Sequence, residues 1–334
     1  MNQHAVIAVD AFTDAQMARI VDVLCGWATW ERIPEEPPAE LFVEKLARAD
    51  VVVGWPEAQW LVKPSVKLLL LPSAGFDAYL GFGLGTKPGF RLCNGRGVYG
   101  IGVAEHAIAL MMCLCRNLQL HVRDQTRRAF VRQPAYGEIT STTACVIGVG
   151  NIGAEIVRKC TGLGMKVIGV DRSGTAVRPL LTHLYAPDNL REAVRGADHV
   201  FCAAPGGSAT RHLIDRDVFD AMPRGAYFYN VSRGSLVDER ALVESLCRGH
   251  LAGAGLDVFE HEPLAQDSLL WAMENVVITP HCAGFAARWH DRLCDLVIDH
   301  LACYNSGKPL RNEVRLDTVS GTSRDASQVL EAQT

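Results

Sequence analysis

The feature that most constrains the fold of this chain is a glycine-rich turn, Val146-Ile147-Gly148-Val149-Gly150-Asn151-Ile152-Gly153. An apolar run before the turn predicts a buried strand, and apolar residues at helical spacing after it predict a helix. Gly148 permits the sharp turn, Gly150 removes a side chain where a pyrophosphate would approach, and Gly153 lets helix and strand pack closely. The N–H groups and the positive dipole of the helix N-terminus attract the phosphates.

An acidic residue follows the turn at the spacing of a dinucleotide site. A second predicted strand, residues 165–170, ends at Asp171, about twenty residues after the glycines, where a ribose hydroxyl is bound in such folds. The pattern therefore favours a dinucleotide site over a glycine turn used only for packing. The Asp171 carboxylate accepts hydrogen bonds from the ribose of NAD and repels the 2′-phosphate of NADP, so NAD is the expected cofactor. Arg172 and Arg178 lie nearby and soften that repulsion.

Length, composition and charge exclude several classes of protein. The 334 residues suffice for two domains with separate cores. Hydrophobic and charged contents of 49% and 21% are those of a soluble globular protein. The net charge of −4 gives no case for nucleic acid or a membrane as partner. The most apolar stretch, residues 103–120, contains Glu105 and Arg116, so we interpret it as a buried helix.

The eleven cysteines are scattered and form no C-x-x-C pair. We interpret them as reduced core residues of a cytoplasmic protein, without a disulfide framework or a metal site. The apolar start, residues 5–9, is too short for a signal peptide, which also favours the cytoplasm.

Strand-like and helix-like stretches alternate along both halves of the chain. This alternation predicts an α/β fold with two doubly wound parallel-sheet domains, whose ligands bind beyond the carboxyl ends of the strands. The predicted strands are residues 5–9, 50–54, 67–71, 90–93, 144–147, 165–170, 183–185, 199–203, 226–230, 253–259 and 276–279. The predicted helices are residues 13–25, 41–48, 103–120, 152–160, 190–195, 239–248 and 288–303.

Three polar residues follow predicted strands of the second half, namely Arg233, Glu262 and His281. Each has an ordinary alternative: a salt bridge at a helix start, a solvated loop acid, and a core imidazole. Together they match what hydride transfer to a keto acid needs, which is an anion anchor, a proton donor and a carboxylate that keeps the donor protonated.

These motifs carry a resemblance to a known family. Gly148–Gly153 with Asp171, and residues 230–239, 256–264 and 279–284, in this order, resemble the D-isomer-specific 2-hydroxyacid dehydrogenases. Ala104-Glu105-His106 and Ser73-Ala74-Gly75-Phe76-Asp77 also resemble motifs of that family, and the match runs from about residue 51 to residue 310.

The resemblance implies a Rossmann NAD-binding domain inserted into a flavodoxin-like substrate domain. The expected boundaries are residues 1–98 for the first part of the substrate domain, 99–283 for the NAD domain, 284–312 for the returning helix and 313–334 for a polar tail. It also implies a homodimer held largely by the NAD domain, including the helix at residues 103–120.

The resemblance further implies residue roles. Arg233 binds the substrate carboxylate and carbonyl, His281 is the general acid or base, and Glu262 raises the pKa of His281. Backbone groups of Ala74 and Gly75 contact the substrate carboxylate. The implied cofactor residues are Gly148, Gly150, Asn151, Ile152, Gly153, Asp171, Pro205, Val231, Ser232, Asp257 and Gly284, of which Asp257 holds the nicotinamide carboxamide.

The implied activity is hydride transfer between NAD(H) and a small 2-keto or 2-hydroxy acid, D-specific, of the glyoxylate, hydroxypyruvate or phosphoglycerate type. One alternative is an NAD(H)-sensing, corepressor-like binding protein. Another is a relative acting on formate or phosphite, although the formate branch pairs its histidine with glutamine where this chain has Glu262. Cys282 beside His281 is a departure that would make the activity sensitive to oxidation.

Overall fold

A computed structural model describes residues 3–172 and 176–316 of the chain. Its strands are β1 (Gln3–Ile7), β2 (Ala28–Arg32), β3 (Val51–Val53), β4 (Leu68–Leu71), β5 (Arg91–Asn94), β6 (Thr143–Ile147), β7 (Lys166–Val170), β8 (His183–Tyr185), β9 (His199–Cys202), β10 (Tyr227–Asn230), β11 (Gly253–Leu256) and β12 (Val276–Ile278). Its α-helices are α1 (Asp14–Leu24), α2 (Ala39–Leu46), α3 (Gly100–Cys115), α4 (Leu118–Thr126), α5 (Asn151–Gly162), α6 (Leu190–Val194), α7 (Arg216–Ala221), α8 (Glu239–Cys247) and α9 (Trp289–Asn305).

The chain divides into two compact units, and the second is inserted into the first along the sequence. The first unit comprises the described residues up to Val98 and those from Ala287 onward, and the second comprises Tyr99–Ala286. Each unit contains one parallel sheet with its own hydrophobic core. The predicted α/β class with two parallel sheets is confirmed.

The first unit has a five-stranded sheet in the order β2-β1-β3-β4-β5, with every pair parallel. All residues of β3 and β4 are buried, as expected for central strands covered on both faces. Helix α1 starts at a capping box, in which Thr13 Oγ1 accepts the Gln16 N–H while Gln16 Oε1 accepts the Thr13 N–H. The edge strand β2 was not predicted because Ala28–Arg32 lacks a clear apolar alternation.

The C-terminal segment of the chain completes the first unit. Helix α9 packs against α1, where Gln16 Nε2 donates to Asp291 Oδ1 at 2.7 Å. Beyond α9, Glu313 forms an antiparallel bridge with Cys93, and both of its carboxylate oxygens accept hydrogen bonds from Arg91 at 2.7 Å. Residues 313–316, expected to begin a polar tail, therefore join this unit, and residues 317–334 lie outside the described residues.

The second unit has a seven-stranded parallel sheet in the order β12-β11-β10-β9-β6-β7-β8. The chain order reverses beside β6, which has β9 on one side and β7 on the other. Such a switch point opens a crevice beyond the carboxyl ends of the strands, which is where ligands bind in doubly wound folds. The glycine turn follows β6 at this point.

The apolar stretch at residues 103–120 is two helices, so the prediction of one continuous helix was wrong. Helix α3 ends before Asn117, whose φ of 55° is left-handed, and α4 departs at an angle of 70°. Asparagine tolerates this conformation better than most residues, which allows the break. In the described part of the chain no single helix has the length and apolar character needed to cross a membrane.

All eleven cysteines are free thiols. Six of them are buried, at positions 93, 115, 145, 160, 202 and 294. Burial raises the pKa of Cys145 and of Cys202 to about 12, so these two thiols stay protonated and act as core residues.

Candidate active site

The three glycines of the turn after β6 differ in how closely other atoms of the chain approach them. Gly148 has a φ of 87°, and a Cβ there would lie 2.4 Å from Ala204 Cα. A Cβ on Gly153 would lie 1.9 Å from the carbonyl oxygen of Gly148, so only glycine lets α5 begin so close to the turn. A Cβ on Gly150 would meet no atom within 4 Å. Packing within the described chain therefore does not require glycine at position 150, and the space beside it can admit a ligand.

Asp171 joins the end of β7 to the glycine turn. Its Oδ2 accepts a hydrogen bond from the N–H of Val149 at 2.7 Å. The carboxylate is thus fixed beside the N-terminus of the twelve-residue helix α5, which carries Asn151 and Ile152 in its first turn. The N-terminus of α5 suits an anionic diphosphate, and the Asp171 carboxylate at the end of β7 suits the two hydroxyls of a ribose. The residues present therefore fit a nicotinamide dinucleotide.

The loop after β10 orients Arg233. Asn230 is 1% exposed; its Oδ1 accepts the Ser232 N–H at 3.2 Å and its Nδ2 donates to the Arg233 carbonyl at 3.1 Å. Arg233 Nη1 donates to the carbonyl of Ser232 at 2.8 Å. Glycine is needed at position 206 because a Cβ there would lie 2.7 Å from Arg233 Cγ. The guanidinium stem is therefore packed beside the loop that contains Pro205.

His281 and Glu262 form an ion pair in the second unit. His281 Nδ1 lies 2.7 Å from Glu262 Oε2, and Glu262 Oε1 accepts the Phe259 N–H at 3.0 Å. The side chains are 49% and 34% exposed, so both remain accessible to a small ligand. Glu262 therefore bonds Nδ1 of His281. Nε2 is left as the nitrogen suited to exchange a proton with a ligand.

Electrostatics favour the charged state of both partners. The hydrogen bond that His281 donates to Glu262, together with the charge of Glu262, raises the pKa of His281, although burial and the charge of Arg233 oppose this rise. Burial would raise the pKa of Glu262, but the bonds from His281 and Phe259 and the charges of His281 and Arg233 lower it overall. The charge of Arg233 thus influences both partners, which brings all three predicted catalytic residues into one electrostatic group.

Asp257 organises the loop that carries His281. The carboxylate is 1% exposed and accepts the N–H groups of Cys282 at 2.9 Å and Ala283 at 3.0 Å. It also accepts the Thr279 hydroxyl at 2.6 Å, and its main-chain carbonyl accepts the His281 N–H at 2.8 Å. These contacts give Asp257 a role that sequence analysis missed, since its residue type at a strand end does not reveal what it bonds.

A potential cation site overlaps this network. Ligand atoms of His106, Asp257 and Cys282 lie within 4.8 Å of one another. The carboxylate of Asp257 already accepts three hydrogen bonds, and burial followed by the charge of Asp257 raises the pKa of Cys282. A metal ion would have to displace these bonds and deprotonate the thiol, so the network is better suited to orienting the loop.

The remaining predicted cofactor residues border the same edge of the sheet. Val231 and Ser232 are buried after β10, and the Ser232 hydroxyl donates to the carbonyl of Ala204, next to Pro205. Gly284 follows the His281 loop, and a Cβ there would lie 3.3 Å from the Tyr99 ring. Because carboxyl ends of parallel strands share one edge, these loops are neighbours of the glycine turn within the second unit.

The two predicted substrate residues Ala74 and Gly75 belong to the first unit, in the loop after β4. The Ala74 carbonyl accepts a hydrogen bond from Asn94 Nδ2 at 2.7 Å, and the Gly75 carbonyl accepts one from Ser73 Oγ at 2.8 Å. These bonds fix the loop with both carbonyls occupied. A contact of its backbone with a substrate stays a prediction.

Known proteins resemble this chain in sequence and fold. Residues 108–283 match the family described as D-isomer specific 2-hydroxyacid dehydrogenase, NAD binding domain. The chain is 29% identical to a glyoxylate reductase of Korarchaeum cryptofilum, covering 85% of this chain and 89% of the relative. It is 31% identical to glyoxylate/hydroxypyruvate reductase A of Arabidopsis thaliana, covering 75% and 79%.

The fold also resembles solved structures. A D-isomer specific 2-hydroxyacid dehydrogenase from Xanthobacter autotrophicus Py2, solved in complex with NADPH and MES, gives a TM-score of 0.74 at 23% identity. The alignment covers 94% of this chain and 98% of that chain.

Proposed function

The chain belongs to the D-isomer specific 2-hydroxyacid dehydrogenase family, and on that premise we propose that Arg233, Glu262 and His281 catalyse its reaction. Membership of this family, predicted from the motifs, is confirmed, and it makes the chain an NAD(P)-dependent oxidoreductase of 2-hydroxy acids. The observation that carries the proposal is the 2.7 Å pair of His281 Nδ1 and Glu262 Oε2 within the electrostatic influence of Arg233.

The proposed division of labour follows from this pair. When bound, the nicotinamide dinucleotide supplies or accepts the hydride at the carbon that bears the substrate oxygen. In reduction, His281 gives the proton on Nε2 to that oxygen and becomes neutral; in oxidation, the neutral ring takes the proton back. Glu262 holds the ring by Nδ1 and stabilises the imidazolium before reduction.

Arg233 is proposed to bind the substrate as an anion. A guanidinium can donate two parallel hydrogen bonds to a carboxylate and can also polarise an adjacent carbonyl. Such contacts hold the keto carbon in one orientation, which removes much of the entropic cost of the reaction. The packing of the Arg233 stem beside Gly206 supports a fixed direction for the guanidinium.

We propose NAD(H) as the preferred cofactor. Asp171 stands at the end of β7 beside the glycine turn, and its charge would oppose a 2′-phosphate at the adjacent ribose. Arg172 and Arg178 follow in sequence and would partly offset this repulsion. The related protein from Xanthobacter autotrophicus was solved in complex with NADPH, so NADP(H) is the alternative cofactor and activity is tested with both NADH and NADPH.

The proposed substrate is a small 2-keto acid of the glyoxylate or hydroxypyruvate type, reduced to the D-isomer where the product is chiral. The named activities of the two curated relatives support this class. The test is to follow nicotinamide absorbance with NADH or NADPH and a panel of glyoxylate, hydroxypyruvate, pyruvate and phosphohydroxypyruvate. Turnover of at least one keto acid supports the proposal. Tight NADH binding without turnover of any of them would instead favour the NAD(H)-sensing alternative.

We further propose a homodimer formed through the second unit, in the cytoplasm. Helix α4 has no buried residue. Five large apolar side chains of this helix and of the segment after it are exposed and define what we name the α4 surface: Leu118, Val122, Phe130, Val131 and Tyr136. An apolar surface of this kind on a soluble protein is a typical interface, and a second copy of the chain is the proposed occupant.

A further inference from the structure

A chain of hydrogen bonds connects helix α3 to the loop of His281. His106 Nε2, on α3, lies 2.9 Å from the hydroxyl oxygen of Thr279. That hydroxyl lies 2.6 Å from Oδ1 of Asp257, which follows β11. Three separate elements of the second unit therefore meet at one side-chain hydroxyl, directly after β12.

The donor and acceptor groups of the three side chains determine the direction of these hydrogen bonds. A carboxylate has no hydrogen to give, so the Thr279 hydroxyl must donate to Asp257 at 2.6 Å. Its single hydrogen is then used, and its oxygen can only accept from His106. Nε2 of His106 therefore carries a hydrogen and points it at Thr279. The orientation of the hydroxyl is fixed from one side by an imidazole and from the other by a buried anion.

The backbone that this network supports is strained. His281 has a φ of 50°, a left-handed conformation that non-glycine residues seldom adopt and that persists only when surrounding contacts hold it. The holding contacts converge on Asp257, whose carbonyl accepts the His281 N–H and whose carboxylate accepts the next two N–H groups, those of Cys282 and Ala283. The direction of that carboxylate decides whether these bonds can form together.

We infer that Thr279, bonded between His106 and Asp257, is a positioning residue that keeps the His281 ring in the orientation required for proton transfer. The inference rests on the proposed function in so far as His281 is the acid or base. His106 acts at the far end of the same chain by fixing the hydroxyl of Thr279. Neither residue needs to contact substrate or cofactor.

The groups that act on His281 in the second unit come from several loops. Glu262 bonds its ring directly, and Arg233 and Asp257 act through their charges. Cys282 is its neighbour in sequence and bonds Asp257 through its N–H. Loss of the Thr279 hydroxyl changes the hydrogen bonding of Asp257 and of the Cys282 thiol, and it leaves the bond between His281 and Glu262 in place. Its effect on His281 is therefore separable from a direct change at Glu262 or Arg233.

The test compares Thr279→Val, which removes the hydroxyl at nearly constant volume, with Thr279→Ser, which keeps it. Leaving one partner of a buried hydrogen bond unpaired changes an equilibrium constant by about tenfold or more. If that bond holds His281 in its reactive orientation, kcat for keto-acid reduction should fall by about the same factor in Thr279→Val. KM and the NADH dissociation constant should change by less than about twofold, because the uniform binding contacts remain. Thr279→Ser should recover most of kcat.

A matched control is Thr161→Val on α5. The Thr161 hydroxyl is buried and has no hydrogen-bond partner among the described residues. Its loss should leave kcat and the pH profile at wild-type values. If Thr279→Val proves too unstable to purify, His106→Leu and His106→Gln offer the same comparison, since glutamine can keep an N–H near the position of Nε2.

A second readout is independent of turnover. The imidazole NMR signals of His281, assigned through His281→Asn, give its pKa in the wild type, Thr279→Val and Thr279→Ser. We expect the titration to move in Thr279→Val alone. Unchanged kcat and an unchanged His281 titration in a folded Thr279→Val protein would overturn the inference, as would equal losses in the Val and Ser variants. A wild-type protein that reduces no keto acid overturns the proposed function instead, and the titration still tests the positioning role.

Discussion

Nδ1 of His281 is 2.7 Å from Oε2 of Glu262, and the other oxygen of that carboxylate accepts the N–H of Phe259. The second bond fixes the carboxylate against its own loop, so Glu262 presents one oxygen to the imidazole in a defined direction. The pair is thus arranged to stabilise an imidazolium rather than merely to contact it.

Glu262→Gln should shift the pH dependence of the reaction. Because Glu262 raises the pKa of His281, the wild-type ring stays protonated to higher pH than an isolated histidine. Reduction needs the protonated ring, so kcat/KM for the keto acid should fall at a lower pH in the variant, with a loss of at least about tenfold at neutral pH. Oxidation of the hydroxy acid needs the neutral ring, and its rising limb should move to lower pH.

The control for this prediction is Glu260→Gln. Glu260 bonds Arg211 and His212, each at 2.7 Å, instead of His281. Its variant should keep the position of both pH limbs. Coincident profiles for the wild type and Glu262→Gln would contradict the proposed role of the pair.

Arg233→Lys should reduce kcat/KM by about a hundredfold or more, because a single ammonium cannot reproduce a two-bond contact with a carboxylate. The NADH dissociation constant, measured by quenching of protein fluorescence, should be unchanged. Arg240→Lys is the matched control, since Arg240 is largely exposed and pairs with Glu244 on α8. Similar kinetics for Arg233→Lys and Arg240→Lys would show that Arg233 does not bind the substrate.

Asp171→Asn should change cofactor preference while keeping the glycine turn. The amide oxygen can still accept the Val149 N–H, which Asp171 accepts at 2.7 Å, but the negative charge is gone. Since like charges in contact cost several kcal/mol, the ratio of kcat/KM for NADPH to that for NADH should rise by about tenfold or more. A ratio that stays constant in initial-rate measurements would show that Asp171 does not contact the ribose.

Gly150→Ala and Gly153→Ala should fail in different ways. A Cβ on residue 153 would lie 1.9 Å from the Gly148 carbonyl oxygen, so this variant should lose about 1–3 kcal/mol of stability or more. A Cβ on residue 150 meets no atom within 4 Å, and its φ of −78° suits alanine. Gly150→Ala should therefore melt near the wild-type temperature but bind NADH more weakly. Calorimetry and NADH titration separate the two; tight NADH binding by Gly150→Ala would contradict the proposed phosphate site.

Charges on the α4 surface should dissociate the proposed dimer. Phe130 is 103% exposed and Val122 is 60% exposed. The double variant Val122→Asp/Phe130→Asp should therefore fold as a single chain. Light scattering after gel filtration should give half the wild-type mass. Val62→Asp, at an exposed valine of the first unit, is the control and should keep the wild-type mass. A wild-type protein that is already monomeric would refute the proposal.

Local sequence patterns predicted much of the fold. The glycine spacing and the apolar runs identified the strands and helices around the turn, and the helix predicted to begin at residue 13 has Thr13 as its N-cap. Such features follow from neighbours along the chain. They also place Arg233 and His281 after strands of one parallel sheet, so their meeting at one edge could be anticipated.

Features that depend on tertiary contacts were not predictable. The short helix α7 and the edge strand β2 lack strong hydrophobic periodicity. The helix break at Asn117 interrupts a continuous apolar stretch that contains no proline or glycine at that point. The roles of His106 and Thr279 depend on a contact between residues 173 positions apart in sequence. Both residues stood inside recognised motifs, but a motif does not state which partners its side chains bind.

The insertion of the second unit has a consequence for synthesis on the ribosome. Residues of α1 that face α9, such as Gln16, are synthesised before the inserted unit, whereas Asp291, the partner of Gln16, is synthesised after it. The inserted unit is continuous and can acquire its structure in between. Helix α1 therefore lacks its packing partner until the whole inserted unit and α9 have been synthesised.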